Sequence, residues 1–147
     1  MSRIFIALLS ISPLLGCSTK HQVIGFVHDV PRLSCGVGVL RTSAGGLEQW
    51  CETYDGIENG PRVEYFPNRE RSIEGAYLQG KRSGVWREWH PNGSRKVEGS
   101  YEKGQRTGAW HWWAVDGNVY QQGAYVDGLE YGRWTVFWAT GRKKSEG

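Results

Sequence analysis

"GSYEKGQRTGAWHWWAVDG", residues 99–117, sets Trp110, Trp112 and Trp113 within four positions and spaces glycines around them. The skeleton recurs. "GAYLQGKRSGVWREWHPNG" begins 24 residues earlier at Gly75, and "GAYVDGLEYGRWTVFWATG" begins 24 residues later at Gly123. One step further back, "CETYDGIENGPRVEYFPNR" from Cys51 is a worn copy that keeps Gly56, Gly60, Pro67 and Asn68. One step further on lands on Gly147. The copies run 51–74, 75–98, 99–122 and 123–147. A fixed period of this length marks a stacked repeat, in which each unit buries its apolar side on its neighbours.

Of the 21 glycines, 15 fall in the columns 56/80/104/128, 60/84/108/132, 75/99/123/147 and 93/117/141. Each would cost about 1 kcal/mol in a helix interior, so no helical period survives between them. Two strands per copy remain. In the third copy, residues 95–102 and 109–114 read as strands, with "KGQRTG" and "VDGN" as the turns. Asp116-Gly117 and Asn92-Gly93 suit two-residue hairpins with positive φ at both positions. Arg69 replaces the turn glycine in the first copy, which predicts a looser turn there. Connections this short force antiparallel neighbours. The expected fold is all-β: an elongated, single-layer antiparallel β-meander of about four 24-residue hairpin repeats over 51–147. Residues 23–50 depart from the repeat and read as an irregular N-terminal β cap, with strands at 23–30, 36–43 and 47–54. Such a cap shields the first edge of an array.

The pattern G-x-Y-x-x-G-x-x-x-G-x-W-x-x-W/F followed by P-N-G, at a period near 24, resembles the variant MORN repeat. The resemblance covers 51–147. It implies a twisted antiparallel sheet and a role in interaction rather than catalysis. MORN repeats are associated with protein contacts and in some settings with lipid headgroups, and many bacterial relatives of the variant type carry a toxin–antitoxin label.

"MSRIFIALLSISPLLGCSTK" opens the chain with Arg3 and an apolar run from Ile4 to Leu15. That run has 12 residues and is broken by Ser10, Ser12 and Pro13, whereas a spanning helix needs about 20. The segment resembles a bacterial lipoprotein signal, with Leu14-Leu15-Gly16-Cys17 as its lipobox. The resemblance implies removal of residues 1–16 and acylation of Cys17, with 17–22 as a tether. More than one acyl chain would anchor the protein stably. Ser18 in place of an aspartate leans towards the outer membrane, facing the periplasm, if the cell is Gram-negative. An ordinary secretory signal is the alternative.

Cys35 and Cys51 then remain, an even pair in an oxidising compartment, which reads as a disulfide. Two free thiols, or a metal site with His21 or His28, are the alternatives. A two-residue hairpin at Ala44-Gly45 would put Gly38 opposite Cys51, so a disulfide requires the strand to bend or the register to differ.

Trp86, Trp110 and Trp134 share one column and Tyr77, Tyr101 and Tyr125 another. A ring recurring at every step is read as structural, each packing on the next. Trp110 and Trp113 are three apart, so either both faces carry aromatic rings or a bulge intervenes. Trp112 and Trp138 break their columns and are the candidate ligand-binding rings, expected to be dispensable for the stack.

Nothing in the sequence resembles a nucleophile elbow or a metal-ligand spacing, so no catalytic residues, metal or cofactor are expected. His90 and His111 read as exposed strand or turn residues, and Glu74, Glu98 and Glu146 as cross-strand partners for Arg or Lys. A net charge of +3 is too small to argue for nucleic acid. The leading functional reading is a lipid-anchored, non-catalytic scaffold or protein-interaction module with an envelope protein as partner. Glycan or cell-wall binding through exposed aromatics is one alternative, and a periplasmic immunity or antitoxin protein another.

Overall fold

A computed structural model describes residues 26–27, 30–138 and 140–147. The lipobox and Cys17 lie outside the described residues. Strands β1 (Phe26–Val27) and β2 (Val30–Pro31) pair with each other as a separate antiparallel ribbon, so the strand expected over 23–30 is not continuous. The next ten are β3 (Val39–Thr42), β4 (Glu48–Glu52), β5 (Glu58–Tyr65), β6 (Arg71–Leu78) and β7 (Lys81–Trp89), then β8 (Arg95–Glu102), β9 (Gln105–Trp113), β10 (Val119–Val126), β11 (Leu129–Phe137) and β12 (Lys143–Glu146). They form one open antiparallel sheet in sequence order, a meander roughly 43 Å from first strand to last. There is no helix among the described residues. Strands β6, β8, β10 and β12 start 24 residues apart, as do β7, β9 and β11.

Two kinds of turn alternate, and the sequence reading placed them the wrong way round. The two-residue hairpins lie at Gln79-Gly80, Lys103-Gly104 and Asp127-Gly128, where both residues have positive φ, the type I′ geometry. Leu78 pairs with Lys81, Glu102 with Gln105 and Val126 with Leu129 across them. "KGQRTG" is therefore mostly strand, since β9 begins at Gln105. At the other margin Asn92 and Asp116 are not left-handed. Gly93 and Gly117 alone are, with φ +81° and +88°. Each donates to the carbonyl three residues back, His90 and Ala114 respectively. That is a type I turn followed by a left-handed residue. Arg69 adopts φ +70° and closes its turn with the matching bond to Phe66 O at 2.8 Å. The turn is as tight as the others, and Arg69 carries strain that glycine would not.

These turns are tied to one another. Asn68 Nδ2 donates to Pro91 O and Asn92 Nδ2 to Val115 O, both at 3.1 Å. Asp116 occupies the next step and has no amide to donate. Its carboxylate keeps local bonds, accepting from Asn118 N at 3.0 Å and Asn118 Nδ2 at 3.1 Å.

The Gly75, Gly99 and Gly123 column has a different cause, because none of these is left-handed. A Cβ on Gly99 would lie 2.1 Å from Cδ2 and Cε2 of Trp110, and Gly75 and Gly123 meet Trp86 and Trp134 in the same way. Opposite each glycine the next strand bulges. Residues 84–86, 108–110 and 132–134 face one residue apiece, with left-handed Gly84, Gly108 and Gly132 opening the bulge. Three residues against one preserves the alternation of faces. The indole is laid flat where no side chain stands.

The cap is tied down covalently. Cys35 and Cys51 form a disulfide with Cα atoms 5.7 Å apart. The expected conflict disappears because the loop is longer and the strand shorter. Ser43 N bonds Glu48 O, Leu40 pairs with Cys51, and β3 starts only at Val39. Cys35 reaches Cys51 from the irregular segment before it. Leu33 N also donates to Oε1 of the fully buried Gln49 at 2.9 Å, so this segment covers one end of the sheet.

Candidate functional site

One face of the sheet is an aromatic ladder. Tyr77 meets Trp86 edge-on at 5.2 Å between centroids, Trp86 meets Tyr101 at 6.0 Å, and Tyr101 meets Trp110 at 5.2 Å. Trp110 meets Tyr125 at 5.8 Å and Tyr125 meets Trp134 at 5.1 Å. The column rings thus touch ring to ring along the repeat, and T-shaped pairs add about 0.5–1.5 kcal/mol beyond burial. Trp86 and Trp110 are 5% and 3% exposed on a sheet that no second layer covers. Trp86 Nε1 donates to Ala76 O at 3.2 Å, whereas Nε1 of Trp110 and of Trp134 is buried without an acceptor. Packing, not hydrogen bonding, holds those two rings.

Two arginines complete the cover. Arg82 lies 4.3 Å over Trp86 and donates to Tyr101 Oη at 3.0 Å. Arg106 lies 4.6 Å over Trp110 and donates to Tyr125 Oη at 2.9 Å. Sequence reasoning passed over both. The signal was available: each stands four residues before a column tryptophan, one period apart.

Trp112 packs into the stack instead of standing outside it. It lies 5.7 Å from both Trp110 and Trp134 and joins the central cluster of Val97, Trp110 and Tyr125. It bridges two tryptophan steps diagonally, which a search by column cannot reveal. Trp138 is different. It is 53% exposed in the turn after β11, with Lys144 Nζ 4.6 Å from its ring. No ring contact joins Trp112 to Trp138 among the described residues.

The opposite face also carries rings, so Trp110 and Trp113 do diverge. Trp113 stacks on His111 at 5.6 Å, and Arg95 lies between Trp89 and Trp113 at 5.5 and 6.0 Å. Arg71 covers Trp89 at 5.6 Å. Beside this row runs a chain of ion pairs. Glu74 accepts from Arg71 at 2.6 Å and Arg87 at 3.2 Å, and Glu98 accepts from Arg87 at 2.8 Å and from Arg95. Burial pushes the Glu98 carboxyl up, but the Arg87 hydrogen bond and the Arg95 charge outweigh it and hold the group below the usual carboxylate range. Glu52 is lowered chiefly by its hydrogen bond from Arg41, 2.5 Å away. His90 and His111, expected to be exposed, are half-buried. His90 Nε2 lies 2.9 Å from Trp113 O.

The I′ margin is unlike the rest of the surface. Leu78, Val126, Leu129 and Tyr131 are 60%, 47%, 74% and 65% exposed there. Leu78, Lys81, Arg82 and Lys103 border a notch of 370 Å³. One period on, Lys103, Gln105, Arg106 and Asp127 border a smaller notch of 80 Å³. Among the described residues no group of three His, Cys, Asp or Glu is placed to hold a metal ion, and no helix is long and apolar enough to cross a membrane.

No family model matches the chain, and no curated protein matches it. Among solved structures it is similar to a mutant S. aureus TarM crystallised with fondaparinux, alpha-GlcNAc-glycerol and UDP. The identity is 16% and the TM-score 0.38, over 59% of this chain and 17% of that one, a likeness too slight to bear on fold or function.

Proposed function

We propose that this protein is a non-catalytic interaction module, held at a bacterial membrane through acylated Cys17, that offers its I′ margin to an envelope protein. The observation that carries this reading is the exposed apolar group on the β10–β11 hairpin. Val126 and Leu129 are directly paired and Tyr131 pairs with Ala124, so the three side chains share one face. The ladder rings are covered by neighbours and the strand charges are largely paired; Tyr54, Val115 and Trp138 are exposed too, but in turns rather than on paired strands. Exposed clusters of this kind are where partner proteins dock.

A photo-crosslinking residue at Leu129 tests the reading in the native envelope. The expected result is one discrete protein adduct, absent when the crosslinker is placed at exposed Lys96. Adducts only to sacculi or lipid, or none, would overturn it. The variant Cys17→Ser should leave the protein unprocessed or soluble. Its recovery with membranes and without acyl mass would rule out the anchor.

A further inference from the structure

The strand arginines Arg41, Arg62, Arg71, Arg87, Arg95 and Arg133 each bond a carboxylate. Arg82 and Arg106 bond none among the described residues. Their partners are an indole face and the rings and hydroxyls of the flanking tyrosines, all uncharged. Each guanidinium is thus fixed in place with its charge unneutralised and part of its donor fork unused. A fork pre-ordered in this way suits a carboxylate, because little rotamer freedom is left to lose on binding.

The spacing narrows the ligand. Arg82 is on β7 and Arg106 on β9, two strand steps apart, or about 9.5 Å. Both stand on the ladder face at the I′ margin, Arg82 paired with Tyr77 and Arg106 with Tyr101. The notches at this margin lie on the other face, where Leu78 pairs with Lys81 and Glu102 with Gln105. The charge around Arg82 is the more positive, with Lys81 and Lys103 near it against a single carboxylate, Glu102. Beside Arg106, Gln105 stands in the place of Lys81 and Asp127 in the place of Lys103.

Resting on the reading that this margin meets a protein, we infer that it binds an extended acidic segment of that protein through two carboxylates about 9.5 Å apart. Arg82 takes the tighter-held carboxylate and Arg106 the second. A polyproline II segment with an acid at every third residue places its carboxylates on one side at about 9.3 Å. That is close to the step between the two arginines.

The test is fluorescence anisotropy of the full mature protein with a labelled Pro-Pro-Glu repeat peptide, against Pro-Pro-Gln and against polygalacturonate. The Glu peptide should bind, and added salt should weaken it. Arg82→Gln and Arg106→Gln should each weaken it about tenfold or more, the loss expected for a charge-assisted bond. Lys103→Glu, on the β8–β9 turn at this margin, touches no ladder ring and should weaken it while leaving the melting curve unchanged. Equal binding of the Gln peptide, or unchanged affinity in folded arginine variants, would overturn the inference. If those variants unfold, unchanged affinity in Lys103→Glu overturns it instead. Binding of polygalacturonate without the peptide would also overturn it and assign the arginines to an acidic glycan. The Leu129 crosslink separates the two readings. An adduct that persists in Arg82→Gln/Arg106→Gln sinks this inference and leaves the interaction role standing.

Discussion

Gly99→Ala is the sharpest test of the fold. The added methyl would sit 2.1 Å from Cδ2 and Cε2 of Trp110 and 2.6 Å from Cε3. Carbon atoms rest about 3.5–4.0 Å apart, so the indole must rise by roughly 1.5 Å. It has nowhere to go. Tyr101, Tyr125 and Trp112 flank it at 5.2, 5.8 and 5.7 Å, and Arg106 covers it. Overpacking alone costs about 1–3 kcal/mol. If the ring leaves the stack, the cost approaches the 3–5 kcal/mol of deleting a buried tryptophan. A loss of about 2–5 kcal/mol is expected, or about 8–20 °C in melting temperature at roughly 4 °C per kcal/mol. Gly108→Ala is the control. It has open space but φ +66°, and should lose only about 1–2 kcal/mol from the left-handed backbone. Urea unfolding followed by tryptophan fluorescence measures both. On a Trp110→Leu background most of the Gly99→Ala cost should vanish, because the clashing ring is gone. If Gly99→Ala costs no more than Gly108→Ala, or costs the same on both backgrounds, the glycine column does not exist to seat the indoles.

Arg69→Gly should stabilise the protein by about 0.5–1 kcal/mol, since φ +70° strains the arginine and glycine recovers more than it loses to unfolded-chain entropy. A lower urea midpoint would contradict this. Cys35→Ser removes a crosslink spanning 16 positions and should cost about 3 kcal/mol, measured against wild type without reductant. Equal stability would show that the cap is held by Leu33 and Gln49 instead. Glu52 and Glu98 sit below the ordinary carboxylate range when folded, so they stabilise fully above that range. Their contribution is lost as pH falls through their folded values. The urea midpoint should therefore drop between pH 6 and pH 3, and Glu98→Gln should flatten the drop; an unaltered slope would remove Glu98 from the account.

Much of the architecture was legible because the repeat writes each structural role in several copies. The 24-residue step, the antiparallel meander, the column rings and the cysteine pair all follow from residue type and spacing. What escaped had specific causes. The I′ turns sit at Gln79, Lys103 and Asp127, and glutamine and lysine carry no turn signature of their own. The left-handed backbone there is set by the two-residue connection, not by the side chain. Asn92-Gly93 looked like a hairpin because asparagine tolerates positive φ, yet its amide is engaged with Val115 O on the next turn. The packing of Trp112 was missed because column analysis sees only neighbours one period apart, while its contacts run diagonally to Trp110 and Trp134.

A sheet without a second layer must bury its rings on itself, and that constraint points to where function sits. The glycine columns lower the floor, the tyrosines form walls, and Arg82 and Arg106 act as lids. A lid need not be charged. Leucine or methionine would cover an indole as well by area, and would not leave a guanidinium without a counter-charge. On the opposite face, where arginines also cover tryptophans, each is neutralised. Arg71 answers to Glu74, and Arg87 and Arg95 to Glu98. The same chain therefore pairs its other strand arginines, Arg41 and Arg62 on the ladder face included, and leaves these two without a carboxylate among the described residues, at the I′ margin. Stability alone would favour pairing them too. Glu130 stands one period beyond Arg106, and Glu58 one period before Arg82. The unpaired positions are thus confined to two steps and flanked by acids, which sets both the length of the carboxylate site and its register along the margin.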